Sequence, residues 1–382
     1  MVSAPGKSPQ PFANLWFFPL AAAYAALVLP WSVLGQWDLI AAPPGLQTSL
    51  GHAHEMLFGF ALAVVAGYVL GPQPVALTLS LALLWALARL AFLMGPAQLP
   101  SLLLQAGFVG LLAFKVLPRF LKAAKKWRNK TVAPIISGLC LAAVLFHLLT
   151  LSGHVYLQHA LLLEAILLIS SLMFFMGGRM IAPAVAGHLT KQGRTLEARV
   201  QPQLEGLVLI TLAIILVLNL VPQEWARRAS GGLLLAIALL TLVRLLRWQI
   251  WHCLDRPDLL ALALGYLWLV AGWSLTGLSL TWNLLPLPQA LHALTIGALG
   301  TLTLSVMARS RLHRVRRDPN ASPVIYLAVA LLSLAALIRI LGKAPTASYL
   351  AAAVCWSLAY LILLGVLLKL AVEERKKKKP VG

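Results

Sequence analysis

Acidic side chains are scarce: 11 Asp and Glu stand against 31 Lys and Arg among 382 residues, and charged residues of both signs reach only 11%. An ordinary soluble domain carries about 25% charged residues, so a soluble body is excluded. Cysteine is scarce too. Cys140, Cys253 and Cys355 stand far apart without Cys-x-x-Cys spacing, so neither a disulfide framework nor a thiolate metal site is indicated. The longest polar stretch, about 177–204, is too short for a soluble domain. No cleavage-site pattern follows the first apolar run, whose only preceding charge is Lys7, and the run is too long for a signal peptide. It reads as a first membrane helix.

What is abundant is apolar sequence, 60% of the chain. A hydrocarbon core roughly 30 Å thick needs about 20 apolar residues per helix. Such runs lie at 12–34, 52–70, 74–94, 98–117, 132–152, 154–176, 205–222, 230–250, 258–279, 287–308, 322–342 and 346–370, with tight hairpins at 71–74 and 152–154. The expected fold is an all-α integral membrane protein of about twelve transmembrane helices, residues 1–382 forming a single polytopic membrane domain in the lipid bilayer.

Cations test the topology, because short cytoplasmic loops carry the positive excess. With the N-terminus inside, the inner side collects Lys7, Lys115 to Lys130, Arg179 to Arg199, Arg244, Arg247, Arg256, Arg309 to Arg317 and Lys369 to Lys379, 26 cations in all. The outer side holds only Arg227, Arg228 and Lys343, which leaves Arg89 and Arg339 within spans. One redrawn hairpin would destroy this partition, so both termini are expected in the cytoplasm. The net charge of +20 then reflects orientation and attraction to anionic inner-leaflet lipid, and no nucleic-acid partner is implied.

Topology sorts the nine histidines by depth. His52 and His54 open span two, His147 lies near the outer end of span five, and His154 opens span six with His159 further in. His292 sits in the outer third of span ten. Ionisable groups within spans usually face the bundle interior. Residues two apart on a helix lie about 200° apart, so His52 and His54 cannot both face one ligand from a regular helix. His52 and Glu55 share a face, the usual relation of an imidazole and the carboxylate that orients it. His154 and His159 are about 140° apart around their helix. Gly297 and Gly300 follow His292 and strip side chains from the backbone below it, where a flat macrocycle would lie or, equally, another helix would pack. Arg89 and Arg339 suit carboxylates of a cofactor, or a structural pair with Glu55 or Asp38. Glu164, near mid-span on helix six, reads as a neutral hydrogen-bonded carboxyl or as part of a proton or ion path.

The spans that begin with histidines are two, six and ten, one every fourth helix. That pattern resembles the catalytic subunit of haem-copper oxidases and would imply a three-fold pseudo-repeat of four-helix units. Span seven has no adjacent histidine pair to hold that family's copper.

Six stretches carry a closer resemblance: HAHEMLFGFALAVVAGY at 52–68, LALLWALARLAFL at 81–93, WRNKTVAPIISGLCLAAVLFHL at 127–148, GGRMI at 177–181, LGYLWL at 264–269 and LHALTIGALGTLTLSVMAR at 291–309. They are similar to the NnrS proteins, polytopic bacterial membrane proteins associated with haem and copper and with the response to nitric oxide. The resemblance implies a bacterial inner membrane location, a haem, taken as b-type, copper as a second cofactor, nitric oxide as a gaseous ligand and an unidentified electron donor. Ala263 stands where the family is expected to have a histidine, which weakens the case for copper.

Together these readings place haem near the outer leaflet between His54 (or His52) and His292, with Glu55 orienting a histidine and Arg89 and Arg339 pairing with carboxylates. His147, His154 and His159 are further metal-ligand candidates, and Gly297 and Gly300 would floor the cofactor site. Any enzymatic activity would be a haem-dependent oxidoreduction on or near nitric oxide. The rivals are a transporter of an anionic or metal-bound solute and an assembly factor for a respiratory complex.

Overall fold

The computed structural model describes residues 10–122 and 130–378. Lys7, Lys125, Lys126, Arg128 and Lys379, which contribute to the expected inner excess, lie outside the described residues, as do 127–129 of one matched stretch. Among the described residues, twelve helices are long and apolar enough to cross a membrane. They are span one Asn14–Gln36, two Ser49–Val69, three Val75–Met94, four Leu99–Lys122, five Val132–Leu151 and six Val155–Lys191. Seven is Glu197–Leu218, eight Glu224–His252, nine Pro257–Trp282, ten Leu287–Arg316, eleven Val324–Leu341 and twelve Pro345–Lys377.

Helices are what this composition demands, since a lipid-facing backbone must satisfy its own hydrogen bonds. The chain reverses where left-handed backbone is available: Gly71 (φ +61°) ends span two and Gly153 (φ +73°) turns span five into span six. Both expected hairpins are present.

Span six departs from expectation. It continues to Lys191 through most of the stretch read as a polar loop. Ile181, Ala182, Val185, His188 and Leu189 are buried at helical spacing, so an amphipathic stripe packed on neighbours carries the helix beyond its apolar run.

Burial separates central from peripheral helices. Spans two and ten are 72% buried over their most apolar window and six and nine 67%, against 33% for four and eleven. Exposed Leu83, Leu90, Leu103, Phe114 and Leu337 cover peripheral spans, as a lipid-facing surface requires. Sequential spans pack as neighbours, and span twelve returns against span one, where Trp356 donates to the Ala25 carbonyl at 3.0 Å.

Basic residues gather at one end. Arg119 of span four bonds the Leu70 carbonyl of span two, and Arg194 beyond span six meets His252 of span eight at 2.7 Å. Arg316 and Arg311 of span ten pair with Glu373 and Glu374 of span twelve at 2.7 and 2.6 Å. Asp258 holds Arg256 and Arg309, each at 2.9 Å. His52 and His292 occupy the opposite ends of spans two and ten.

Candidate functional site

Span two begins as an α-helix, Ser49–His54, whose first turn is closed by the Thr48 side chain accepting the Gly51 amide at 3.1 Å. Glu55–Ala61 then continues as π-helix. Within the α-helical turn His52 and His54 diverge. The His54 ring is fully buried, stacked 3.7 Å from Phe92 and edge-on to His147 at 4.8 Å between centroids. Its Nδ1 lies 2.8 Å from Glu55 Oε1, so Glu55 pairs with its neighbour His54 and not with His52 three residues back.

The same carboxylate accepts from Arg89 at 2.7 Å and from the Tyr24 hydroxyl, and Arg89 donates onward to Gln105. Gly59 makes room: a Cβ there would stand 2.9 Å from the Tyr24 ring and 3.0 Å from Glu55 Oε2. His147 has both ring nitrogens engaged, Nδ1 with the Ala143 carbonyl and Nε2 with the Ser101 hydroxyl, each at 3.0 Å. Arg89 is therefore neutralised by Glu55 inside a buried polar and aromatic network joining spans one to five, in which His54 Nε2 has no hydrogen-bond partner. Arg89 does not reach the cavity described next.

His52 faces that cavity. It has a volume of about 640 Å³ and is lined by residues of spans one, two and six to twelve, among them Phe60, Thr295 and Trp356. His292 ends the α-helical turn Leu287–His292, and Ala293–Gly300 follows as a second π-helix. Its Nδ1 donates to the Pro288 carbonyl, so Nε2 carries the lone pair. Arg339 Nη2 donates to that Nε2 across a long 3.4 Å contact. Arg339 is buried, lies 3.5 Å over the Tyr349 ring and lines the cavity. The Nδ1 of His52 is buried without a hydrogen-bond partner.

These residues fit a haem: two imidazoles with nitrogen lone pairs to offer, an apolar enclosure of ligand size and a cation for a carboxylate. They do not fit a protein copper centre, because among the described residues no three His, Cys, Asp or Glu side chains converge on a metal position. His154 is exposed at the hairpin, bonded to Ser152 at 2.8 Å, and His159 is exposed at the cavity rim.

Gly297 and Gly300 are packed against tryptophans. A Cβ at Gly297 would stand 2.6 Å from the Trp268 ring, and one at Gly300 2.9 Å from Trp356, so both positions receive tryptophans of neighbouring spans. Glu164 faces Asn219, a residue of the cavity wall, with Oε1 unbonded.

Beyond Arg89 and Arg339, sequence reasoning missed two buried cations, Arg311 of span ten and Arg244 of span eight. Arg244 of span eight, counted only as an inner-side charge, is 3% exposed and bonds Glu205 at 2.6 Å, the Tyr266 hydroxyl at 2.9 Å and the Phe174 carbonyl at 3.1 Å. Gly177 and Gly178 admit it, since Cβ atoms there would meet the Tyr266 ring at 2.6 Å and the guanidinium at 2.1 Å. The paired glycines of GGRMI and the tyrosine of LGYLWL were the available signal; their shared partner was not readable from spacing.

Comparison with curated proteins finds no match. A family model described as NnrS protein matches residues 15–375, nearly the whole chain, and the chain belongs to the NnrS family.

Proposed function

We propose that this is a membrane haem protein that relieves nitric oxide stress, with the cofactor in the outer-leaflet cavity between His52 and His292. One observation carries the reading: His52 and His292, from the two most buried spans, face one apolar cavity with nitrogens that no protein group holds strongly. His52 replaces His54 as the partner of His292, because His54, whose Nε2 is also unpartnered, is stacked on Phe92 and does not line the cavity. When bound, haem supplies a redox-active iron. The protein's part is to hold the His292 ring in one tautomer through the Pro288 carbonyl, and to exclude water with Phe60, Leu299 and Trp356. The orientation that puts both termini in the cytoplasm places this cavity at the outer face of a bacterial inner membrane.

The test is a reduced-minus-oxidised spectrum of purified protein, with a pyridine haemochrome and metal analysis. Sharp α and Soret bands near one haem per chain are expected in the wild type and in His54→Ala where that variant folds. His52→Ala or His292→Ala should abolish or grossly alter them. A colourless protein after haem-replete expression, or bands unchanged in His292→Ala, overturns the reading. The rival, carriage of an anionic solute, is favoured by Arg339 on the cavity wall. Uptake by proteoliposomes of metal-free protein would support it.

A further inference from the structure

Spans two and ten are built alike. Each begins with a short α-helix ending in a histidine, Ser49–His54 and Leu287–His292, and each continues as π-helix, Glu55–Ala61 and Ala293–Gly300. π-Helices are rare, well under 1% of residues in globular proteins, and cluster at functional sites. Setting the two histidines in register places His54-Glu55-x-x-x-Gly59 beside His292-Ala293-x-x-x-Gly297. The following span then returns an arginine to the histidine turn: Arg89 from span three and Arg339 from span eleven.

The units differ in one respect. In the first, Arg89 meets an internal carboxylate, Glu55, at 2.7 Å. In the second, Ala293 stands at the glutamate's position, and among the described residues no carboxylate lies within 4.0 Å of Arg339. A buried guanidinium without a counter-charge is costly, and the π face of Tyr349 with one long contact to an imidazole offsets only part of that cost. Arg227 at the cavity rim is not in this position, being held by Glu224 and Asn283 at 2.9 Å each.

We infer that Arg339 is the receptor for an external carboxylate, carried into the cavity by a largely apolar molecule, and that it does for this ligand what Arg89 does for Glu55. The inference deepens the proposed function where the carboxylate is a porphyrin propionate. A long-chain fatty acid from the bilayer offers the same chemistry, an apolar body with one anionic end.

The experiment titrates purified full-length wild type, Arg339→Gln and Arg339→Lys with three probes: haem, haem dimethyl ester and a fluorescent polyene fatty acid. Wild type should bind haem about tenfold or more tightly than its ester. Arg339→Gln should lose that preference, its haem-to-ester affinity ratio falling to about one, and Arg339→Lys should recover part of it. A histidine-ligated haem spectrum with the same preference in wild type and Arg339→Gln overturns the receptor and leaves the haem reading standing. No haem spectrum in wild type, with fatty-acid binding that falls about tenfold in Arg339→Gln, removes the haem reading and supports the receptor. Binding of every probe unchanged by Arg339→Gln overturns it. Should Arg339→Gln fail to fold, the wild-type ratio of haem to ester decides alone, and equal affinity overturns the receptor.

Discussion

Glu55 and Arg89 show how a membrane interior tolerates charge. Removing one partner of a buried pair strands the other, typically at about 3–5 kcal/mol, whereas replacing both with apolar groups of similar volume is often near neutral. Arg89→Ala should therefore lower the detergent-solubilised unfolding temperature sharply, and Arg89→Met combined with Glu55→Leu should recover most of the loss. Thermal unfolding followed by thiol-reactive fluorescence measures both. A double variant as unstable as the single one would mean that Tyr24, His54 and Gln105, and not the ion pair, dominate the network. The spacing argument correctly separated His52 from His54. It gave Glu55 the wrong histidine, because adjacent side chains meet when both are drawn to one buried cation, a tertiary circumstance that periodicity does not encode.

A helix is the unit on which the π segments act. The spacing arguments for spans two and ten rest on a regular 3.6-residue repeat, and both spans switch to π-helix directly after a histidine. No propensity rule marks such a switch, so the side-chain directions beyond His54 and His292 were not legible. Gly297 illustrates the consequence: its bare surface receives Trp268. Gly297→Val should cost about 1–3 kcal/mol through overpacking, seen as a lower unfolding temperature of the cofactor-free protein. A cofactor-floor role would instead leave cofactor-free stability intact and weaken only haem binding.

For the assembly, the partition of cations predicts orientation and the ion pairs show how the basic end is tied together. A reporter fused after Gly382 should be active only in its cytoplasmic form, and a tag there should be cleaved in inside-out vesicles and protected in intact spheroplasts. The opposite pattern would move the histidine cavity to the cytoplasmic face. The Arg316–Glu373 and Arg311–Glu374 pairs join spans ten and twelve at the basic end, as Trp356 joins twelve to one. Span twelve is thus tied to span ten by residues about sixty positions apart and to span one by residues 331 positions apart.

Hydrophobic length and charge asymmetry alone specify twelve membrane-length helices, their two tight hairpins and the end at which the histidines gather. These are local or additive properties: burial of a run depends on its own composition, and loop charge sums without knowledge of neighbours. Which histidine enters the cavity, which arginine keeps an unfilled valence and what the glycines admit were settled only when the helices packed. Those outcomes depend on rotation about each helix axis, set by partners such as Trp268, Tyr266 and Phe92 from other spans. A rotation of a few tens of degrees leaves hydropathy unchanged and exchanges one face for another.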